Sequence, residues 1–149
     1  MNRRHLIRTL ALTGLLAAAC FSGNARAGTD KQEPIRVGER LRFDSELRID
    51  FLKVRDDSRC PINAKCVSAG DAEVVLRIKA GNQPAKNYRL HTNDNPRRLV
   101  IPANVFPPDT GGIPKSYVIR IATLNPLPYA GKPTKQSDYR LGLHISVAQ

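Results

Sequence analysis

Cys60 and Cys66 are the side chains whose spacing most directly predicts chemistry in this sequence. A pair of cysteines in an exported chain predicts a disulfide, and the bridge would close a loop of seven residues. The chain-entropy relation gives such a loop a stabilisation of about 2.4 kcal/mol. Redox catalysis is disfavoured, because thiol oxidoreductases place two residues between their cysteines. We therefore expect a structural disulfide between Cys60 and Cys66.

Histidines offer little for catalysis. Outside the first 27 residues the chain has only His91 and His144, and both fall on the polar side of an alternating pattern, beside Arg89 and Arg140. No Gly-x-Ser-x-Gly elbow, paired-histidine motif or phosphate-binding glycine loop occurs. We expect no enzyme, no catalytic residue, no metal and no cofactor. A periplasmic enzyme or metal-handling protein that uses His91 and His144 is the alternative hypothesis.

Basic residues are the third group of side chains whose chemistry indicates a function. The 24 lysines and arginines include four arginines in residues 1–27, so 20 bases remain against 13 acids, a net charge of +7. The residues expected to bind anions are Arg59, Arg77, Lys79, Arg89 and Arg140. If their strands share a sheet, one basic face for anionic envelope components such as lipopolysaccharide phosphates is formed by Arg77, Lys79, Arg89, His91, Arg140 and His144, with Arg97 and Arg98 nearby. Arg59 has a second option, an ion pair with Asp56 or Asp57. Nucleic acid is not expected, because the chain carries an export signal and no exposed aromatic stacking motif.

The first 27 residues indicate export. They contain a basic start, an apolar run from Leu10 to Ala19 and the small-x-small cleavage site Ala25-Arg26-Ala27. Because this run is about half of what spans a bilayer, we expect a cleaved signal peptide rather than a membrane helix. The segment Arg3 to Arg8 is similar to the twin-arginine export motif, and an ordinary secretory signal is the alternative.

Cys20 leaves a second alternative open. The segment Leu16-Ala17-Ala18-Ala19-Cys20 is similar to a bacterial lipobox, in which cleavage precedes a lipid-bearing cysteine. The chain is therefore expected to be periplasmic or otherwise exported, or an outer-membrane lipoprotein. Membrane contact is expected only if Cys20 is lipidated.

Alternating apolar and polar residues predict that residues 28–149 form a single domain built from β-strands. The clearest patterns run from Glu73 to Lys79, from Asn87 to Thr92 and from Tyr139 to Ala148. The first two, joined by Gly81-Asn82-Gln83-Pro84, are expected to form a hairpin. Further strands are predicted at Leu47 to Val54, Leu99 to Ile101, Tyr117 to Leu124 and around Leu41 and Phe43. The fold class is all-β, an antiparallel, immunoglobulin-like β-sandwich of about seven strands.

The cysteine loop carries a resemblance. Asp57-Ser58-Arg59-Cys60-Pro61, then Cys66 and Ala69-Gly70, resembles a motif of small exported bacterial proteins and lipoproteins of unassigned function. An aromatic residue commonly stands at the position of Ser68 in these proteins. The resemblance implies no activity and no catalytic residue. We expect a binding module that contacts a protein or an anionic envelope component through residues 55–70 and the adjacent basic face.

Overall fold

The computed structural model describes residues 33–93, 98–105 and 115–148. The expected signal peptide, its cleavage site and Cys20 lie outside these residues, so the export route and lipidation stay predictions. Within the described residues, no helix is long and apolar enough to cross a membrane.

Eight β-strands and two short 3₁₀ helices make up the regular structure of the described chain. The strands are β1 Ile35–Arg36, β2 Arg40–Arg42, β3 Leu47–Asp57, β4 Ala72–Ala80, β5 Lys86–His91, β6 Arg98–Ile101, β7 Ser116–Asn125 and β8 Arg140–Ala148. The 3₁₀ helices are Ala103–Val105 and Gln136–Asp138. Each of the seven predicted strands has a counterpart, and β1 is the additional one.

The strands form two antiparallel four-stranded sheets. The first, called the front sheet here, has the order β2-β3-β4-β5, and the second, the back sheet, has the order β1-β8-β7-β6. The predicted hairpin is confirmed as β4 and β5, joined through Gly81. The immunoglobulin constant-type order divides strands A, B, E and D from C, F and G. Here β2 to β5 stay together, so the likeness to immunoglobulin domains lies in the two-layer architecture rather than in the strand order.

One shared hydrophobic core joins the sheets and confirms the sandwich. Alternate residues of each long strand point into it, while their neighbours face outward. The front sheet contributes Leu47, Ile49, Phe51, Val74, Leu76, Ile78 and Leu90, and the back sheet contributes Tyr117, Ile119, Leu141, Leu143 and Ile145. Because the alternation is strict over most of β4 and β8, the outward side chains are fixed in register on the two outer faces.

A polar link crosses the core at the turn before β3. Asp44 accepts hydrogen bonds from the backbone N–H groups of Glu46 (2.9 Å) and Leu47 (2.7 Å). Its other carboxylate oxygen accepts a hydrogen bond at 2.5 Å from the hydroxyl of Tyr117, which belongs to the back sheet. Burial, followed by this hydrogen bond, raises the pKa of the Tyr117 hydroxyl. The link holds the β2–β3 turn against the back sheet.

Candidate functional site

The cysteine loop extends the β3–β4 ladder. Beyond the strand ends, Ser58 N–H donates to the carbonyl of Asp71 (2.7 Å) and Cys60 N–H donates to the carbonyl of Ala69 (2.8 Å). Cys60 and Cys66 are joined by a disulfide, as predicted. The loop is therefore the disulfide-closed end of the β3–β4 hairpin, the longest hairpin of the front sheet.

Gly70 allows this ladder to close. Its φ is +67°, a conformation that other residues rarely adopt. A Cβ placed there would lie 1.9 Å from the carbonyl oxygen of Ser58. Both observations require glycine at this point of the loop, which accounts for the Ala-Gly step of the sequence motif.

Arg59 is buried beneath the loop, with 8% of its surface exposed. Its guanidinium donates to both carboxylate oxygens of Asp57, each at 2.7 Å. It also donates to the backbone carbonyls of Leu124 and Pro126, the latter at 2.9 Å. The prediction that Arg59 binds an external anion is therefore wrong, because its donors are taken by groups inside the protein. Of the two acids expected as its partner, Asp57 is the one observed.

Asp57 also accepts a hydrogen bond at 2.9 Å from the hydroxyl of Tyr139, the residue immediately before β8. Burial raises the pKa of Tyr139 to about 12, with the Asp57 hydrogen bond as the next contribution. Arg59 and Asp57 thus connect the end of β3 to two separate segments of the back-sheet region. Removing one partner of such a buried pair lowers the free energy of unfolding, because the other charge stays buried without a counter-charge.

A second loop packs beside the first and is bonded to it. Ile62 N–H donates to the carbonyl of Pro128 at 3.0 Å. The side chain of Asn63 accepts from Ala130 N–H at 2.8 Å and donates to the carbonyl of Ala130 at 3.5 Å. We call residues 60–66 and 125–134 the loop pair. The Ile62–Pro128 and Asn63–Ala130 hydrogen bonds and the Arg59 contacts fix its two halves relative to each other, and the disulfide closes the first half on itself.

A groove with a volume of about 460 Å³ lies along the loop pair. Its lining is mainly apolar and comes from Ile62, Pro126, Leu127, Tyr129, Lys132, Pro133, Thr134 and the neighbouring Asp138. Ile62, Leu127 and Tyr129 are 64%, 50% and 51% exposed. Such a cluster of exposed apolar side chains marks an interaction site on a folded protein more often than scattered ones do. The sequence prediction placed a binding loop at 55–70 but missed its apolar partner residues after Asn125.

His91 and His144 lie on opposite outer faces of the sandwich. His91 is opposite Glu73 on the outer face of the front sheet, and His144 is opposite Arg120 on the outer face of the back sheet. A single site that uses both histidines is therefore excluded by the fold. With the cysteines joined, no group of three potential metal ligands occurs among the described residues.

His91 instead forms part of a hydrogen-bonded cluster around Asp71. We call this cluster of Asp71, His91, Thr92 and Asn93 the Asp71 bracket. The ring Nδ1 of His91 lies 2.5 Å from one carboxylate oxygen of Asp71. The other oxygen accepts from the hydroxyl of Thr92 and from Asn93 N–H, each at 2.9 Å. Partial burial acts to raise the pKa of Asp71, but the hydrogen bonds from Asn93, His91 and Thr92 outweigh it and lower the pKa to about 2. This bracket joins the end of the cysteine loop to the end of β5.

The predicted anion-binding bases do not share one face. Arg77, Lys79 and Arg89 point outward from the front sheet, where Arg89 lies 3.3 Å from Glu73. Arg140 belongs to the back sheet and donates to the carbonyls of Ser137 (2.8 Å) and Tyr139 (3.0 Å). The prediction of a single basic face is therefore wrong, because these residues belong to strands of different sheets.

Comparison with models of protein families, with curated proteins and with solved structures found no match for this chain. The motif resemblance at the cysteine loop stays a prediction.

Removing Asp57 should destabilise the domain more than removing a neighbouring acid. We expect Asp57→Ala to lower the free energy of unfolding by about 3 kcal/mol, because Arg59 stays buried without its counter-charge. Asp56→Ala, at an exposed position, should change it by less than about 0.5 kcal/mol. Adding Arg59→Met to Asp57→Ala should recover about 1 kcal/mol. Urea unfolding measures these three variants together with Arg59→Met alone, and simple additivity of Asp57→Ala and Arg59→Met would contradict the buried-pair account.

The disulfide should stabilise the domain without being required for folding. We expect the Cys60→Ser/Cys66→Ser variant to lose about 2 kcal/mol of unfolding free energy, as the closed loop is short. It should keep the far-ultraviolet circular dichroism of a β protein. Intact mass of the purified wild-type protein should be two hydrogens below that of the reduced form. Free thiols at both positions in protein from the envelope would refute the bridge.

The Asp71 bracket should weaken in acid. Because the carboxyl pKa is about 2 in the folded protein and 3.8 ordinarily, the bracket stabilises the fold above pH 4 and loses this effect as the pH falls towards 2. Asp71→Asn should therefore lower the unfolding free energy at pH 6 by about 1 kcal/mol. Urea unfolding at intervals between pH 2 and pH 6 should show the difference shrinking below pH 4. A difference that stays constant down to pH 2 would argue against the bracket.

Proposed function

We propose that this protein is an exported binding module that recognises an apolar, acidic segment of a partner protein at the loop pair. The observation that carries the proposal is the groove on which Ile62, Leu127 and Tyr129 remain half or more exposed while the backbone beneath them is bonded in place. The disulfide is consistent with an oxidising compartment outside the cytoplasm.

The rigidity of the loop pair supports a binding role. An exposed loop normally loses conformational freedom when a partner orders it, and this loss reduces affinity. Here the disulfide, the Ile62–Pro128 bond and the Asn63–Ala130 bonds order the loops before any partner arrives. The apolar side chains are thereby presented on a preformed surface, which favours recognition of a defined partner over loose association.

The charges around the groove indicate the partner's chemistry. Lys132 lines the groove, and the exposed Lys65 and Lys135 belong to the same loops or lie next to them. Asp138 is the acid among the lining residues. Positive charge around an apolar centre favours a segment in which acidic residues flank an aliphatic or aromatic side chain, and it speeds encounter with such a segment.

A peptide library displayed on phage and panned against the purified protein tests this proposal. We expect enrichment of sequences in which an aliphatic or aromatic residue is flanked by aspartate or glutamate. The best peptides should bind Ile62→Asp/Leu127→Asp at least tenfold more weakly, since two central contacts are lost.

Val67→Asp is the matched control, because Val67 is fully exposed next to Cys66 but does not line the groove. It should bind the same peptides as the wild type does. All three proteins should unfold at similar urea concentrations, as the altered side chains are exposed. The proposal fails if no sequence is enriched, or if the enriched peptides bind Ile62→Asp/Leu127→Asp as tightly as they bind the wild type.

A further inference from the structure

Three cations lie side by side on the outer face of the front sheet. The strand register places Arg42 of β2 opposite Arg48 of β3, and Arg48 opposite Lys79 of β4. Side chains directly opposite on one face of a sheet have their Cβ atoms about 5 Å apart, and like charges in that position repel. We call these three residues the basic rung. No ion pair to any of them is present among the described residues.

The neighbouring acid does not neutralise the rung. On the next row of the same face, Asp50 lies between Arg40 and Arg77. Arg40 donates to both oxygens of Asp50, at 2.6 and 3.1 Å. That carboxylate is hydrogen-bonded to Arg40 and also interacts electrostatically with Arg77, and the two rows together carry five basic side chains and one acid.

The far end of the same face is different. There Glu73 lies 3.3 Å from Arg55 and 3.3 Å from Arg89, so one acid is shared by two bases. The charge of the front sheet is thus polarised along its strands, ion-paired near the cysteine loop and unpaired at the basic rung. General basicity of the chain does not account for this difference within one face.

A shallow cavity of about 200 Å³ lies beside Arg48 and Lys79 of the basic rung and the neighbouring row of Asp50. Its lining includes Arg40, Arg48, Asp50, Arg77 and Lys79. The volume is sufficient for a tetrahedral oxyanion, and guanidinium groups match the oxygens of such an ion with paired donors. A doubly charged phosphate would offset the repulsion along the rung more fully than a singly charged carboxylate.

We propose that Arg48 and Lys79, flanked by Arg42 and Arg77, form a binding site for phosphate monoester groups. The ammonium of Lys79 supplies a point charge and Arg48 supplies directional donors. Asp50 holds Arg40 at the edge of the cavity and sets one boundary of the site. This site is separate from the loop pair, and it stands or falls independently of the proposed protein partner.

Two probes test the site and separate its possible ligands. The first is flotation with vesicles of phosphatidylcholine containing phosphatidic acid, and the second is calorimetric titration with inorganic phosphate. We expect the wild type to bind at least one of them. Arg48→Gln/Lys79→Gln should weaken that binding at least tenfold while folding normally, since the substitution removes a repulsive pair.

Arg55→Gln/Arg89→Gln is the matched control, because it removes two positive charges from the same face at the end where Glu73 lies. It should change binding by less than threefold. Binding to vesicles alone identifies a lipid headgroup, binding to phosphate alone identifies a soluble phosphate, and phosphate competing with vesicles identifies their shared site. The proposal is overturned if the wild type binds neither probe, or if both double variants weaken binding equally, which would indicate only non-specific attraction.

Discussion

The buried ion pair between Arg59 and Asp57 is the interaction on which the arrangement of the loop pair, the proposed binding surface, depends. Asp57 is the last residue of β3 and accepts a hydrogen bond from the hydroxyl of Tyr139. Arg59 donates hydrogen bonds to the backbone carbonyls of Leu124 and Pro126. Without the ion pair, the cysteine loop would be attached to the domain through its own hairpin and through the exposed hydrogen bonds of Ile62 and Asn63 to residues 128 and 130. With it, the loop is bound to the segment that leaves β7 and to the residue immediately before β8. Removing either charge would leave the other buried without a counter-charge, which carries a large free-energy penalty.

The strand pattern was predictable because most of the sandwich follows local alternation. The residues from Glu73 to Lys79 show their buried and exposed sides directly in the sequence, and β4 is the result. β1 was not predicted, because a strand of only two residues has no period to detect. β3 runs past its predicted end at Val54, where its register shifts. There the side chain of Gln136 accepts a hydrogen bond from Val54 N–H and donates one to the Val54 carbonyl. That bond comes from 82 residues further along the chain, so no local pattern encodes it.

The site was less predictable than the fold, for related reasons. The sequence identified the cysteine loop and its disulfide, but it left the role of Arg59 open between an ion pair and an external anion. Its burial depends on carbonyl groups 65 and 67 residues away. The groove likewise joins Ile62 to Leu127 and Tyr129, which share no motif. The basic face failed as a prediction because alternation shows which side of a strand is polar, while the assignment of strands to sheets is a property of the whole chain.

The β3–β4 hairpin gives the two proposed surfaces a fixed relation. Arg48 lies near the beginning of β3, and the cysteine loop begins after Asp57 at its end. Nine residues of extended chain separate these points, which corresponds to about 30 Å. β3 is held on both sides, by β2 over its first half and by β4 along its length, so this distance is set by a rigid element. A module bound to phosphates through the basic rung would therefore hold its apolar groove beyond the opposite end of β3, and one chain could engage both ligands together because neither surface covers the other.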